Sequence, residues 1–185
     1  MRPICLSVLV CGTILATSDP AFKSFEERLD AYVKLRKAAT EKVPPLEKKT
    51  TPAEIQRREL LLAEAIRKAR SNAKAGDILT PEMRPLLENI LRSTMAGSQG
   101  KKVRASIKEG NPKNERAPGE VEPVLAVNAI YPKNAPLSTV PPSLLLKLPK
   151  LPKDVEYRFV GRTLILRDRE ANLIVDYMKE AVPAL

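Results

Sequence analysis

The fold is decided by the stretch Val155–Met178, which reads VEYRFVGRTLILRDREANLIVDYM. Its first six residues alternate between apolar and polar side chains, and this period is typical of a half-buried strand. Gly161 and Arg162 then fit a two-residue hairpin turn, because a type II′ turn needs a positive φ at its first position and glycine accepts one. The polar residues 169–172 favour a second turn. We therefore predict three antiparallel strands, a β-meander, within a C-terminal region spanning residues 123–185.

Residues 19–96 carry the start and stop signals of three helices. Asp19 and Thr51 are each followed by a proline, which is the arrangement of an N-cap residue before the first helical position. Ser24–Glu27 has the pattern of a capping box and is a second candidate start for the first helix. Thr80 and the proline after it predict the start of a third helix, and Gly97 predicts its end. The first two helices are amphipathic and are joined by a proline-rich link, so we expect them to pair as an antiparallel hairpin. The buried face expected for the second helix consists of Ile55, Leu62, Ile66, Ala69 and Ala73.

The chain between the helices and the meander is rich in glycine, proline and basic residues. Residues 97–122 lack apolar periodicity, so we predict a flexible basic linker there, with a short strand at Val103–Ile107 as an alternative. Val124–Tyr131 is apolar and partly β-branched, which predicts a strand. Prolines then break the chain repeatedly, and Ser143–Leu148 has room for only a turn or two of helix before Pro149. Because the predicted helices are followed by the predicted strands, the predicted fold class is α+β.

Residues 1–18 have the three parts of a secretory signal peptide. Arg2 supplies the positive charge, Ile4–Ala16 forms an apolar run, and small residues lead to a cleavage site after Ser18. The apolar run is shorter than the ~20 residues that span a bilayer. We therefore predict an exported protein, periplasmic or secreted, that begins at Asp19 and keeps no transmembrane segment after cleavage.

The residue inventory excludes most catalytic designs. The chain has no histidine, and its two cysteines, Cys5 and Cys11, lie within the predicted signal peptide. The exported chain is therefore expected to lack disulfides, Ser-His-Asp triads, Cys-His pairs and histidine-ligated zinc. Ser143 and Lys147 have the spacing of one helical turn, but the leucines between them favour packing. We predict a protein without enzymatic activity, with no catalytic, cofactor-binding or metal-binding residue and no cofactor.

Three carboxylates surround the second predicted turn: Asp168, Glu170 and Asp176. Carboxylate oxygens are calcium ligands, but Ca²⁺ takes about 6–8 oxygens and three scattered side chains fall short of that number. In the alternative interpretation, which we favour, Asp168 and Asn172 shape the turn and Glu170 is solvated.

Basic side chains outnumber acidic ones, and the net charge is +10 at pH 7. This balance favours association with anionic surfaces such as lipid head groups or acidic polymers. The candidate anion-binding residues are Arg67, Arg70, Lys74, Lys101, Lys102 and Arg104. The alternative is an ordinary charged helix face that nearby glutamates balance. Specific nucleic-acid recognition is not expected, because the linker has no aromatic residues for base stacking.

Roughly residues 130–178 resemble a small module of bacterial periplasmic proteins. The segments that carry the resemblance are Pro136–Leu137, Val140–Pro141, the leucine run to Pro149, Tyr157–Val160, Leu164–Asp168 and Ile174–Asp176. The module occurs in secreted proteins of unassigned function and is similar to the periplasmic nickel/cobalt-homeostasis proteins. The resemblance implies a bacterial, periplasmic protein with a β-meander, and it implies no activity. Arg169–Asn172 replaces the proline or Thr-Gly that usually follows the aspartate.

Together these features predict a non-catalytic binding or scaffold protein of the cell envelope, whose partner is an envelope protein or an anionic polymer. One alternative is purely electrostatic binding of anionic envelope polymers. The other is a hydrolase that uses paired carboxylates, which must face each other across a cleft, ~5–10 Å apart.

Overall fold

The computed structural model describes residues 19–109, 119 and 121–182. The predicted signal peptide, residues 1–18, and residues 110–118 and 120 of the predicted linker lie outside this part of the chain. The described elements are α1 (Pro20–Thr40), α2 (Pro52–Ala69), α3 (Met83–Ala96), α4 (Gly100–Glu109), α5 (Pro142–Leu145), β1 (Val155–Val160), β2 (Thr163–Asp168) and β3 (Leu173–Met178). Helices precede strands, which confirms the predicted α+β class.

The three strands form the predicted meander, and they pair antiparallel in the order β1-β2-β3. Gly161 opens the first turn with a φ of 56°, a conformation that glycine adopts without steric cost. Asn172 ends the second turn with a φ of 52°, and asparagine tolerates this left-handed region better than most residues. The register shifts between Leu166 and Arg167, so the β2–β3 pair contains an irregularity of the β-bulge type.

The first two helices begin where the sequence predicts. The Asp19 side chain accepts a hydrogen bond of 2.9 Å from a backbone amide in the first turn of α1. Thr51 forms a reciprocal capping box with Glu54 at the start of α2. The two helices contact each other, as expected for a hairpin. α3 begins at Met83, slightly later than predicted, after a turn in which its amide donates to the carbonyl of Thr80.

Only the second half of α2 is buried. Leu62 and Ile66 lie in the core as predicted. Ile55 is 50 % exposed, Ala69 is also exposed, and Ala73 lies beyond the end of the helix. The prediction that Ile55 and Ala69 belong to the buried face is therefore wrong. The spacing places Ile55 on the same face as Leu62, but the contact with the core does not extend that far along the helix.

A fourth helix occupies part of the predicted linker. α4 carries Val103 and Ile107 one turn apart, and both are buried. For residues 100–109, the flexible linker and the short strand are therefore both wrong. Two apolar residues form too short a pattern to reveal a period, which is why the sequence did not predict this helix. Gly100 fits the start of α4 because a Cβ there would lie 1.8 Å from the carbonyl oxygen of Met95.

The predicted strand at Val124–Tyr131 is also wrong. Asn128 has a left-handed φ of 65°, which interrupts an extended chain. Among the residues of this segment, all of which the structure describes, only Ile130 forms a bridge, and its partner is Leu173. The segment lies along the outer edge of β3, where the amide of Asn128 donates to the carbonyl of Ile174 at 2.9 Å.

Both faces of the sheet are covered. The main core lies between the helices and one face, and it includes Phe25 of α1, Leu87 of α3 and Phe159 of β1. On the other face, Tyr131 and Ile165 belong to a smaller cluster. No helix within residues 19–109 or 121–182 has the length and apolar composition needed to cross a membrane.

Candidate functional site

Buried charged side chains connect the helices to the end of β2. The Asp168 carboxylate is fully buried and accepts hydrogen bonds from Tyr32 Oη at 2.8 Å and from Arg36 Nε at 2.6 Å. Arg36 also donates to Glu170 at 2.6 Å, and Arg58 of α2 pairs with the same glutamate. We define the Arg36 cluster as Tyr32, Arg36, Arg58, Asp154, Asp168 and Glu170.

The Arg36 cluster is saturated with internal partners. Burial raises the pKa of Tyr32 above its ordinary value, and the charge and hydrogen bond of Asp168 raise it further, so the phenol stays protonated. The second oxygen of Asp168 accepts from the amides of Glu170 and Ala171 at 3.0 and 2.8 Å. Asp168 therefore shapes the turn as predicted. Glu170 is exposed as expected, and it also pairs with two arginines.

Asp176 holds the loop between α2 and α3 against β3. Its buried carboxylate accepts hydrogen bonds from the amides of Gly76, Ile78 and Leu79, at 2.9, 2.7 and 2.8 Å. Because Asp168 and Asp176 are both occupied in this way, neither is available to face a second carboxylate across a substrate. Among the residues that the structure describes, no three Asp, Glu, His or Cys side chains are grouped to hold a metal ion.

Three of the six candidate anion-binding residues donate to oxygens of the protein itself. Arg67 Nε donates to the carbonyl of Asn128 at 2.7 Å, and Arg70 Nη1 donates to the carbonyl of Val175 at 2.9 Å. Arg104 Nη1 donates to a carbonyl at the end of α3, at 2.8 Å. The remaining candidates, whose side chains are exposed, are Lys74, Lys101 and Lys102. Arg67 and Arg70 thus serve to attach α2 to the region of β3.

Arg70 also lines a groove of about 450 Å³ beside α1. Its guanidinium lies over the Tyr32 ring, 5.2 Å from the centroid. Burial lowers the pKa of Arg70, and the negative charges of Asp176 and Asp77 oppose that shift. Arg28 lines the same groove and donates to the carbonyl of Asp77 at 2.9 Å. The two arginines are balanced by two nearby aspartates, so this groove offers an anion no excess of positive charge.

A second groove of about 450 Å³ follows the outer edge of β1. One wall is the strand itself, residues 155–158, and the remaining lining comes from residues 139–140, residues 149–151 and Leu145. Most of these side chains are apolar. The groove is therefore a concave surface beside an edge strand.

The pairing of β1 with β2 determines which backbone groups point outward. In an antiparallel pair, alternate residues direct their amide and carbonyl groups toward the neighbouring strand and away from it. Val160 and Thr163 flank the two-residue turn and are a hydrogen-bonded pair. By alternation, Phe159, Tyr157 and Val155 direct their backbone groups away from β2, toward the outer edge.

Tyr157 is the position on this edge where the outward backbone groups are left uncovered. Ser138 Oγ accepts from the amide of Phe159 at 3.1 Å and donates to its carbonyl at 2.9 Å. The amide of Val155 donates to the carbonyl of Pro152 at 3.0 Å. Between these two covered positions, the amide and carbonyl of Tyr157 have no partner in the part of the chain that the structure describes. They face the groove as one unused donor and one unused acceptor.

Arg158 and Glu156 form the polar part of the groove wall. Arg158 Nη2 donates to Glu156 at 2.7 Å and Nη1 donates to the carbonyl of Ser138 at 3.2 Å. Arg158 Nε is buried and has no hydrogen-bond partner among the described residues. Burial acts to raise the pKa of Glu156, but hydrogen bonds from Arg158 and Arg167 outweigh it and hold the pKa below its usual value. The wall thus combines a charge-compensated glutamate with an unsatisfied arginine donor.

The short helix α5 presents Leu145 at the groove, and it confirms the helical turn predicted within Ser143–Leu148. Leu144 and Leu148 are buried and anchor the turn, whereas Leu145 is 46 % and Leu146 is 87 % exposed. The exposed basic side chains that follow are Lys147, Lys150 and Lys153. Exposed apolar side chains grouped in one patch are typical of a contact surface.

No protein-family model, curated protein or solved structure matches this chain. The groove is therefore defined by geometry alone, and it was not predicted from the sequence because its walls come from four separate segments. Two sequence signals could have pointed to it. The prolines between residues 132 and 152 indicate a segment that covers a sheet without joining it, and Leu145 and Leu146 exceed what a single helical turn can bury.

Proposed function

We propose that this protein is a non-catalytic binding protein of the bacterial cell envelope, and that it holds an extended segment of a partner protein at the outer edge of β1. The observation that carries the proposal is the open amide and carbonyl of Tyr157 in the groove wall. An extended segment in the groove would form two main-chain hydrogen bonds with Tyr157. This arrangement corresponds to recognition by β-strand addition.

Other residues of the protein cover the rest of the sheet's edges, and this supports a short contact between the partner segment and β1. Residues 128–131 cover the outer edge of β3, and Ser138 and Pro152 cover β1 on either side of Tyr157. Covered edges protect a sheet from unspecific pairing with other chains. An opening that is one residue long therefore favours a short bound segment over sheet-to-sheet association.

The side chains around the opening suit an extended ligand. Successive side chains of a strand point to opposite sides, so a segment paired with Tyr157 would direct one side chain toward Val140 and Leu151 and its neighbour toward solvent. Leu145 at the rim would cover the bound side chain. The groove therefore recognises main chain through Tyr157 and one apolar side chain through its walls.

The location and the absence of catalysis have separate support. The pattern of residues 1–18 supports export. The lack of histidine in the chain supports a non-catalytic role, as does the internal bonding of Asp168 and Asp176.

A photo-crosslinking amino acid at Leu145, in the full chain expressed in a bacterium, tests the proposal. Leu60 of α2 is the matched control, because it is 47 % exposed and Leu145 is 46 % exposed. We expect Leu145 to crosslink to one defined segment of an envelope protein, identified by mass spectrometry, and Leu60 to give no such product. The segment is then synthesised as a peptide, and its addition should slow hydrogen exchange at the Tyr157 amide. Identical products from both positions, or an unprotected Tyr157 amide, would overturn the proposal.

Electrostatic binding of an anionic polymer remains the competing function, and the exposed Lys101 and Lys102 of α4 favour it. The two functions differ in their response to salt, since the screening length falls from about 10 Å at 0.1 M to about 3 Å at 1 M ionic strength. Binding that disappears at high salt and leaves Tyr157 unprotected would support the polymer. Binding that persists and protects Tyr157 would support the groove.

A further inference from the structure

We infer that the segment held at β1 carries acidic side chains beside one large apolar side chain. This inference rests on the proposed function and specifies the chemistry of the partner. It follows from the charges around the groove, from the exposed leucines of α5 and from the shape of the site.

The charge at the groove is positive. The carboxylate among its lining residues belongs to Glu156. This carboxylate lies 2.7 Å from Arg158, 2.6 Å from Arg167 and 3.8 Å from Arg169, so basic groups more than compensate its charge. Lys150 lines the groove and is exposed. Complementary charge on a partner favours encounter and fixes its register, which in this site selects acidic side chains.

Arg158 adds a second reason for an acidic partner. Arg158 lines the groove, and its guanidinium supplies positive charge there. Hydrogen bonds to a charged group are stronger than those between neutral groups. A carboxylate is the strongest acceptor that a peptide offers to a guanidinium.

The apolar part of the partner follows from α5. Leu145, which lines the groove, is 46 % exposed, and Leu146 next to it is 87 % exposed. Removing this exposed apolar surface from water stabilises a complex with a partner that covers it. A bilayer could also cover a leucine, but it could not pair with the recessed amide and carbonyl of Tyr157. The combination of open main chain and exposed leucine therefore favours a peptide over a lipid surface.

Labelled peptides of about five residues test the inference, since the opening is one residue long and five extended residues span about 17 Å. Each peptide has apolar residues at alternate positions, and the other positions are all aspartate, all asparagine or all lysine. Binding to the full chain, purified from an envelope fraction, is measured by fluorescence anisotropy. We expect the aspartate peptide to bind about tenfold more tightly than the asparagine peptide, and the lysine peptide to bind most weakly. Lys150→Glu should remove this order, whereas Lys101→Glu, a charge reversal on α4, should preserve it.

Methylation of one central peptide nitrogen separates failure of the inference from failure of the proposed function. If all three peptides bind equally and N-methylation weakens them, the acidic preference is wrong and strand addition stands. If no peptide binds, or if N-methylation has no effect, the proposed function fails and the inference fails with it. Binding to vesicles of anionic phospholipid that Leu146→Ser abolishes, without peptide binding, would also overturn both and identify a lipid surface as the partner.

Discussion

Tyr32 and Asp168 are joined by a buried hydrogen bond of 2.8 Å, although 136 positions separate them in the chain. Arg36, one turn further along α1, donates to the same carboxylate at 2.6 Å. The two donors attach the first helix to the end of the second strand. The helices and the meander consequently share one core, and a change at this contact should affect both.

Asp168→Asn should lower the free energy of unfolding by about 2–4 kcal/mol, because Arg36 would keep a buried charge with an incomplete set of counter-charges. Urea denaturation at neutral pH measures the loss. Asp154→Asn is the control, since Asp154 lies 3.3 Å from Arg36 but is partly exposed. Its loss should stay below about 1 kcal/mol. Equal losses for the two variants would contradict the central role of Asp168.

Stability should fall as the pH rises from 10.0 to about 12, and Tyr131 should contribute to the fall. Burial raises the pKa of Tyr131 from 10.0 to about 12, although the charges of Arg167 and Arg158 oppose the shift. The folded state therefore holds this proton more tightly than the unfolded state does. The resulting stabilisation is complete below the unfolded pKa and is lost as the pH approaches the folded pKa.

Tyr131→Phe provides the measurement. Its unfolding free energy should decline less steeply than that of the unmodified protein over this pH range, because phenylalanine has no proton to release. The comparison concerns the slope, since loss of the Tyr131 hydrogen bond to the Pro136 carbonyl lowers stability at every pH. Parallel curves would show that Tyr131 does not contribute.

Gly100→Ala should destabilise the protein by about 1–3 kcal/mol, because a Cβ at Gly100 would collide with the Met95 carbonyl and force the start of α4 to move. The distance from that Cβ to the carbonyl oxygen would be 1.8 Å. Gly97→Ala is the matched control, since its nearest neighbour, the Thr94 carbonyl oxygen, would lie at an ordinary 3.5 Å. Thermal unfolding of both variants makes the comparison. Indistinguishable melting temperatures would argue against α4 as described.

Leu9→Arg should keep the protein in the cytoplasm, because a charge in the apolar run of a signal peptide opposes its insertion into the membrane. Cell fractionation and immunoblotting measure the distribution. Leu46→Arg is the control, since Leu46 is 45 % exposed in the folded protein and lies outside the predicted signal. N-terminal sequencing of the exported form should begin at Asp19. Export of the Leu9 variant, or an exported chain that still begins at Met1, would count against the signal peptide.

The helix starts and the hairpin turn were predicted from the sequence, because each depends on a few neighbouring residues. The caps at Asp19 and Thr51 and the turn at Gly161 require particular side chains at particular positions, and these were readable. α4 was missed because its burial depends on a single apolar pair, Val103 and Ile107. Two apolar residues do not identify a helix in the sequence, and these two are buried because α4 packs against α3.

The site was less predictable than the fold for a physical reason. Whether Arg67 and Arg70 bind an anion or the protein's own carbonyls depends on where residues 128 and 175 lie in space. Likewise, the amide and carbonyl of Tyr157 point outward because of the strand pairing, and they would do so with many other side chains at that position. Residue type could therefore reveal neither outcome.

The contact between Tyr32 and Asp168 also limits when this protein can fold. A chain that crosses a membrane from its N-terminus delivers α1 first, and Arg36 must wait for β2 before it meets its main counter-charge. Contacts between distant positions slow folding, because a long loop must close before they form. If the chain is exported as we propose, the incomplete chain would thus remain loosely organised during passage, which is the state that a narrow translocation channel can accept.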